Sequence, residues 1–235
     1  VAKKFINEGW RVVGIARRSG PLESMRFLLG SDFNYFTLDL ARPDIAKELT
    51  LQIEKIETSW NFSSNFKALI NNAGIYRPQS FLNSSEQEWK EQFDVNFFSI
   101  VRTCKALLPY LIKNSEGVIV NVSSTLAHRP ILNTCGYSAS KAALNNFTLG
   151  LALEMAPYKI RVNAVCPGII DTPIHQFENS PEGAEQAKAN VAPLQPLGRI
   201  GLPEEVAHSI FHFCAPGSEW TTGSLLTVDG GIQLL

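Results

Sequence analysis

The sequence has no excess of charge, no long apolar run and no paired cysteines. Its 21 basic and 22 acidic side chains give a net charge of −1, so neither nucleic acid nor an anionic membrane is expected as a partner. No uninterrupted apolar run approaches the roughly 18 residues of a membrane span. The four cysteines include no Cys-x-x-Cys pair, which argues against a zinc knuckle and favours reduced thiols in a cytoplasmic protein.

The start of the 235-residue chain lacks an initiator methionine, a helix N-cap and a signal peptide. Residues 1–9 read as the last turns of a helix, with Gly9 at the position of a left-handed C-cap. We therefore expect that residues upstream of Val1 are absent from this sequence, together with any targeting signal. His208 and His212 lie four residues apart but lack a third ligand at a recognisable spacing, so no metal site is expected.

Apolar segments of strand length alternate with helical segments along the whole chain. The predicted strands are 10–16, 35–40, 66–70, 117–122, 160–166 and 224–228. The predicted helices are 21–29, 43–60, 85–113 with a break near Asn96, 137–155 and 203–213. This alternation predicts an α/β fold with a parallel sheet covered by helices on both faces, and no linker divides residues 1–235 into domains. Ligands of such sheets bind beyond the carboxyl ends of the strands.

Tyr137 and Lys141 lie four residues apart on a predicted helix, so their side chains project from the same face. A lysine beside a phenol stabilises the phenolate and lowers the pKa of the tyrosine. The pKa of the tyrosine would have to fall by about 3 to reach 7, which is more than one exposed ammonium can cause. An oxidised nicotinamide ring would add a second positive charge. A lone Tyr-x-x-x-Lys is common by chance, and a surface pair is the alternative. Ser124, which follows an apolar strand 13 residues before Tyr137, favours a shared site.

Polar motifs follow other predicted strands. They are NNAG at 71–74, Asn96, VNVSS at 120–124, YSASK at 137–141, PGIIDT at 167–172 and TGSLLTVDGG at 222–231. In this order and spacing, the sequence resembles the short-chain dehydrogenase/reductase family, and within it the NADP(H)-preferring members related to 3-oxoacyl-ACP reductases. The resemblance implies a single-domain, doubly wound Rossmann-type parallel sheet of about seven strands in three α/β/α layers.

The resemblance also implies the roles of individual residues. Tyr137 would be the general acid in reduction and the base in oxidation, and Lys141 would lower its pKa and hold the nicotinamide ribose. Ser124 would bind the substrate oxygen, and Asn96 would hold a water in a proton relay. The remaining cofactor-binding residues would be Asn72, Ala73 and Gly74 at the adenosine ribose, Asp39 at the adenine, and Pro167, Gly168, Ile170 and Thr172 at the nicotinamide.

The family's first strand and its glycine-rich pyrophosphate turn are missing from the sequence, which accords with an incomplete N-terminus. The second strand ends in Arg17 and Arg18, where NAD-dependent members place an acidic residue for the ribose hydroxyls. Arginine matches a 2′-phosphate with charge-assisted hydrogen bonds, so NADP(H) is preferred over NAD(H), with Arg17 as the main contact. Two solvated surface arginines are the alternative.

We therefore predict an NADP(H)-dependent oxidoreductase that interconverts a carbonyl and an alcohol. The alternatives are an epimerase or dehydratase of the same fold, or a non-catalytic dinucleotide sensor. The substrate itself is not predicted, but the substrate loop at about 169–199 carries an apolar lid of Ile169, Ile170, Ile174, Phe177 and Leu194. Arg129 is either a contact for an anionic substrate or carrier, or a solvated side chain. Small residues in 137–155, with Leu149 and Leu153 left outward, predict a homotetramer or homodimer.

Overall fold

The computed structural model describes residues 1–60, 66–180 and 182–235, and in this part of the chain six strands alternate with helices. The strands are β1 (Val12–Ala16), β2 (Phe33–Thr37), β3 (Ala68–Asn71), β4 (Gly117–Val122), β5 (Ile160–Pro167) and β6 (Leu225–Val228). The α-helices are α1 (Ala2–Asn7), α2 (Ser19–Leu29), α3 (Ile45–Ser59), α4 (Glu86–Phe93), α5 (Ser99–Lys113), α6 (Cys135–Met155), α7 (Ala184–Val191) and α8 (Pro203–Cys214). The predicted α/β fold is confirmed.

All strand pairs are parallel, and they form two groups. β1 pairs with β2, and β3, β4, β5 and β6 pair in that order. The resemblance implies about seven strands, of which the first is missing from the sequence, and the described residues contain six strands in a two-stranded and a four-stranded group. The two groups are separated by a space between β1 and β3, which do not pair with each other in the described chain.

This space is a cavity of about 980 Å³. It is lined on one side by Val12–Ile15 of β1 and on the other by Ala68–Asn71 of β3, with Phe5 of α1 and Leu107 of α5 at its walls. Hydrogen-bonded strands lie about 4.8 Å apart, so an open cavity between two strands excludes direct pairing. One edge of β1 and one edge of β3 consequently have no strand partner in the described residues.

The core lies on both faces of the four-stranded group. Alternating residues of β4 separate the two faces: Ile119 packs with α3, α5 and α6, whereas Val118 and Val120 pack with α1 and α8. The buried positions of α3 are Ile45, Leu49, Ile53 and Ile56. They form the helical stripe on which the prediction of this helix rested, so that helix is confirmed.

The first two strands differ in their bounds from the prediction. β2 ends at Thr37 rather than residue 40, because the Asp39 carboxylate accepts a hydrogen bond from the Ala41 amide (3.1 Å) and turns the chain. β1 begins at Val12 because Trp10 instead packs edge-on against Phe5 of α1, with ring centroids 5.4 Å apart.

The predicted break near Asn96 is a π-helical segment, Asp94–Phe98, which joins α4 to α5 without interrupting the helical stretch. A π-segment adds a residue to one turn and so changes which side chains face inward. Asn96 points into the protein and is fully buried. By length and mean hydropathy alone, Glu86–Lys113 is one helical stretch that qualifies as a membrane span, although in this fold α5 packs against α3, β3 and β4.

A chain of buried polar side chains crosses the four-stranded group. The Asn71 side-chain nitrogen donates to the Asn121 side-chain oxygen (2.8 Å), and the Asn121 side-chain nitrogen donates to the Thr148 hydroxyl on α6 (2.9 Å). Asn71 and Asn121 are direct partners in the register of β3 and β4. The two asparagines are therefore paired twice, once through the register of their strands and once through their side chains.

Candidate active site

The polar motifs meet beyond the carboxyl ends of β3, β4 and β5, as expected for a parallel sheet. Ser124 follows β4 with an extended backbone, and its hydroxyl accepts a hydrogen bond from the Leu126 amide (3.1 Å). This bond caps the short 3-10 turn Thr125–Ala127 and fixes the direction in which the chain leaves the strand.

Tyr137 lies in the first turn of α6. The loop that leads to it is closed by Thr134, whose hydroxyl accepts from the Ile131 amide (3.1 Å) and from the Ser138 hydroxyl (3.0 Å). The loop returns the chain to β4, so that the Tyr137 phenol faces the Ser124 hydroxyl, whose interaction with the phenol acts to lower its pKa. A position in the first turn of a helix also favours negative charge on the phenol oxygen.

Lys141 lies one turn further along α6, with its ammonium 5.9 Å from the centre of the Tyr137 ring. The ammonium donates to the Val122 carbonyl at the end of β4 (2.8 Å). Tyr137 is 7% exposed and Lys141 is 3% exposed, so the alternative of a surface tyrosine and lysine is wrong.

Burial governs the titration of both groups. It raises the pKa of Tyr137 to about 12, against the opposing hydrogen bond from Ser124, and it lowers the pKa of Lys141 to about 8. Desolvation of the phenol thus sets the direction of its pKa here, and the lowering of this pKa by Lys141 together with a bound nicotinamide stays a prediction. The phenol holds its proton at neutral pH.

Asn96 clamps the loop that follows β3. Its side-chain oxygen accepts from the Ile75 amide (2.8 Å), and its side-chain nitrogen donates to the Ile75 carbonyl (3.0 Å) and to the Ser140 hydroxyl (3.1 Å). The side chain thus ties the π-segment, the loop and α6 together. Ser140 and Ile75 were missed by the sequence analysis, although Ser140 lies inside the YSASK motif.

The NNAG loop runs past the end of β3 towards Lys141. Asn72 and Ala73 are exposed, and Gly74 is half-buried. A Cβ atom on Gly74 would lie 3.4 Å from the Asn96 side-chain oxygen and 3.6 Å from the Lys141 ammonium. These are ordinary van der Waals separations, so they place the loop beside Asn96 and Lys141 without requiring glycine at this position.

The PGIIDT loop follows β5 and rests on two other segments. A Cβ atom on Gly168 would come within 2.8 Å of Asp229, so only glycine fits between Pro167 and that residue. Ile170 forms a single parallel β-bridge with Gly201, and the Thr172 hydroxyl donates to the Ile170 carbonyl (3.4 Å).

The residues predicted to bind the adenosine end lie on the two-stranded group. Arg17 and Arg18 follow β1, and both are exposed; within the described residues neither guanidinium forms an ion pair. Asp39 follows β2, where one of its carboxylate oxygens is used in the turn at Ala41. The predicted cofactor-binding residues are thus divided between the two strand groups.

The predicted apolar lid is only partly supported. The Ile170 side chain is buried in the core beside Val206 and Ile210, and Leu194 is 51% exposed. Phe177 instead stacks on His175, which in turn contacts Tyr76. Neither Tyr76 nor His175 was singled out from the sequence, although an aromatic residue two positions after the NNAG motif was a usable signal. Pro181, within the substrate loop, lies outside the described residues.

Arg129 is bound by other residues of the chain, and of the two cysteines near the site loops only one is buried as expected. The Arg129 guanidinium donates to the carbonyls of Leu235 (2.7 Å) and Gln233 (3.5 Å), so it holds the C-terminal segment. Cys166 is buried at the end of β5, as expected of a small core residue, whereas Cys135 is exposed. Among the described residues, no group of three or more potential metal ligands converges.

Comparison with solved structures identifies the architecture. The structure described as ElxO with NADP bound superposes with a TM-score of 0.86 over 100% of this chain and 93% of that one, at 24% identity. This likeness shows the fold, a Rossmann-type α/β architecture. The family model described as short chain dehydrogenase matches residues 1–183.

The chain belongs to the short-chain dehydrogenase/reductase family, whose members interconvert carbonyls and alcohols with a nicotinamide cofactor. It is 30% identical to the 3-oxoacyl-(acyl-carrier-protein) reductase FabG of Chlamydia trachomatis, over 99% of this chain and 91% of that protein. It is 33% identical to the Homo sapiens 3-oxoacyl-(acyl-carrier-protein) reductase, over 100% of this chain and 92% of that protein.

Proposed function

We propose that this protein is an NADP(H)-dependent carbonyl reductase or alcohol dehydrogenase in which Tyr137 is the acid and base. The observation that carries the proposal is the contact between the Ser124 hydroxyl and the Tyr137 phenol, with the buried Lys141 ammonium beside them. Two donors that meet at one point suit a carbonyl oxygen, on which negative charge develops as the carbon is reduced.

A bound NADPH would supply the hydride for the carbonyl carbon in reduction. The Tyr137 proton passes to the carbonyl oxygen, while the Ser124 hydroxyl donates to the same oxygen and orients it. The pKa of about 12 keeps that proton on Tyr137 until the substrate oxygen takes it. In oxidation the same groups act in reverse, and Tyr137 accepts the proton of the alcohol.

Lys141 fits the nicotinamide ribose. An ammonium has three donors, and the one hydrogen bond of Lys141 within the described residues goes to Val122. The remaining donors of this buried cation suit ribose hydroxyls. The main-chain amide of Ile170 has no hydrogen-bond partner in the described chain, which suits the carboxamide, with Thr172 beside it. Asn96 would position the loop and Ser140, and would hold a water of the proton relay as the family resemblance implies.

NADP(H) rather than NAD(H) is supported by the two arginines, Arg17 and Arg18, that follow β1 without ion-pair partners in the described chain. The related architecture of ElxO is described with NADP bound. Asp39 and the exposed Asn72–Ala73 segment would line the adenosine. Free thiols suit a reducing compartment such as the cytoplasm.

Assembly as a homotetramer or homodimer is supported by exposed apolar side chains on the π-helical segment and on α6. Phe98 is 45% exposed, Leu149 is 39% exposed and Leu153 is 79% exposed, while Gly150 between the leucines leaves room for a close helix. Light scattering at micromolar concentration tests this: a tetramer or dimer is expected, and a stable monomer would contradict it.

An assay of NADPH and NADH oxidation against a panel of ketones and aldehydes tests the activity. Ketone-dependent oxidation of NADPH, and its loss in the Ser124→Ala variant, are the expected results. Epimerisation or dehydration of a substrate without net cofactor turnover would instead support the alternative chemistry.

A further inference from the structure

Three aromatic side chains continue outward from the Tyr137 ring. The Tyr76 ring meets Tyr137 edge-on, with centroids 4.9 Å apart; the His175 ring lies 5.9 Å from Tyr76, and Phe177 stacks on His175 at 5.4 Å. We call Tyr76, His175 and Phe177 the aromatic wall. His175 and Phe177 lie two residues apart in consecutive 3-10 turns after β5, and tertiary structure brings Tyr76, from the loop after β3, to them.

The aromatic wall is held from behind. Both main-chain groups of Ile75 are bound by Asn96, which fixes the backbone immediately before Tyr76. The His175 amide donates to the Thr172 carbonyl (3.3 Å) at the end of the PGIIDT loop. All three wall residues are half-buried, so part of each ring remains accessible beside Tyr137.

The aromatic wall is also uncharged. Burial lowers the pKa of His175 below its usual value of 6.5, which leaves a neutral imidazole at neutral pH. Lys188, on α7, is engaged by Asp171 (3.0 Å) and Glu185 (3.2 Å), and Arg77 forms an ion pair with Glu91. These neighbouring cations already have partners, so they offer little to an anionic substrate.

An aromatic ring of the substrate, next to its reacting carbonyl, could pack against the rings of the aromatic wall. Aromatic pairs are favourable at centroid separations of about 4.5–7 Å in edge-on or offset geometry, and the wall rings already adopt such separations among themselves. A flexible acyl chain fills apolar space without using this geometry, and an acidic carrier would need free cations.

We propose that the aromatic wall binds the flat ring of a neutral aryl ketone, or of the corresponding secondary alcohol, whose carbonyl oxygen meets Ser124 and Tyr137. The inference rests on the proposed function, since it assigns a substrate class to the same site. Tyr76 and His175 are then specificity-determining residues, and the carbonyl carbon lies one bond from the ring.

The test compares acetophenone with 2-octanone, ketones of equal carbon number that differ in whether they carry a ring. The full-length protein with NADPH is expected to have the higher kcat/KM for acetophenone. The ratio of the two kcat/KM values is expected to fall about 3- to 10-fold in Tyr76→Leu and again in His175→Leu, and to persist in Tyr76→Phe. Phe81→Leu removes an aromatic ring outside the wall, one that is 66% exposed, and is expected to leave the ratio unchanged.

A wild-type preference for 2-octanone, or a ratio that does not respond to Tyr76→Leu and His175→Leu, would overturn the inference while leaving the proposed function intact. Turnover of neither ketone would count against the proposed function instead. In that case saturation-transfer NMR still decides on the wall: acetophenone binding that is unaltered by both leucine variants would refute it, and binding weakened by each would support it.

Discussion

The two strand groups of this protein differ in how firmly they are built. In β4, five of the six residues are buried, whereas every residue of β1 is only partly buried. β4 and β5 are paired on both edges, and β1 is paired on one edge and faces the cavity on the other. The residues proposed to move the proton thus lie on the more buried group, and the arginines proposed to select the cofactor lie on the less buried one. Changes in the two groups should therefore affect different properties.

The largest expected effect is on turnover, through the four-stranded group. Tyr137→Phe removes the proton that the substrate oxygen takes, so kcat should fall by about 10²–10⁴-fold while NADP(H) affinity is retained. Steady-state kinetics together with cofactor titration by fluorescence measure both quantities. Tyr158→Phe, at a residue that is 48% exposed, is the matched control and should keep full activity. Near-normal turnover of the Tyr137 variant would refute the proposed mechanism.

Stability should separate the two groups next. Ile119→Ala in β4 empties a fully buried site and should lower the free energy of unfolding by about 2–5 kcal/mol. Ile15→Ala makes the same chemical change in β1, where the side chain is only partly buried, and should cost at most about half as much. Urea unfolding followed by circular dichroism measures both. Equal losses would mean that β1 is packed as tightly as β4.

The buried Lys141 should make stability depend on pH. Its pKa is about 8 in the folded protein and about 10.5 in the unfolded chain, so the unfolded state binds more protons between these values. The free energy of unfolding should therefore gain about 3 kcal/mol from this group as pH rises from 8 to 10.5.

The matching variant is Lys141→Met, which removes the buried charge. Its stability relative to the wild type should be highest below pH 8 and should decline towards pH 10.5, as measured by urea unfolding at several pH values. Lys105→Met changes an exposed lysine and should show no such pH-dependent difference. A constant difference between Lys141→Met and the wild type would show that the ammonium is not desolvated.

The smallest expected effect is on cofactor choice, through the two-stranded group. Arg17→Asp removes a phosphate partner and offers a ribose acceptor, so the ratio of kcat/KM for NADPH over NADH should fall by about 10- to 100-fold. Thermal stability should barely change, because the residue is exposed. Arg18→Asp sharpens the result: a larger change there would assign the 2′-phosphate to Arg18.

Local patterns in the sequence predicted much of the four-stranded group. The segment 117–122 matches β4 because a short, continuous apolar run has few other uses than a buried strand. The stripe of α3 and the break at Asn96 were likewise readable, since both follow from residues close together in the chain. Family spacing predicted that Ser124 and Tyr137 share a site, and in the structure the Ser124 hydroxyl faces the Tyr137 phenol.

Long-range features were not predictable in this way. No pattern within β1 or β3 reports their separation, and only the family resemblance, through its missing first strand, pointed to it. The sign of the pKa shift at Tyr137 depends on how deeply α6 buries the phenol, which spacing does not report. The contact between Tyr76 and His175 joins residues far apart in the chain, and His175 carries no local signal at all.

The polar chain from Asn71 through Asn121 to Thr148 has a consequence for folding. A slip of one residue between β3 and β4 would turn each side chain to the opposite face and leave buried amides without partners, at about 1–3 kcal/mol each. Purely apolar strands distinguish poorly between registers, because a shifted register places one apolar side chain where another was, at little cost in free energy. The buried amides therefore favour one register of β3 and β4 over its neighbours. A substitution of Asn71 or Asn121 alone should destabilise the protein more than a substitution of both by apolar residues.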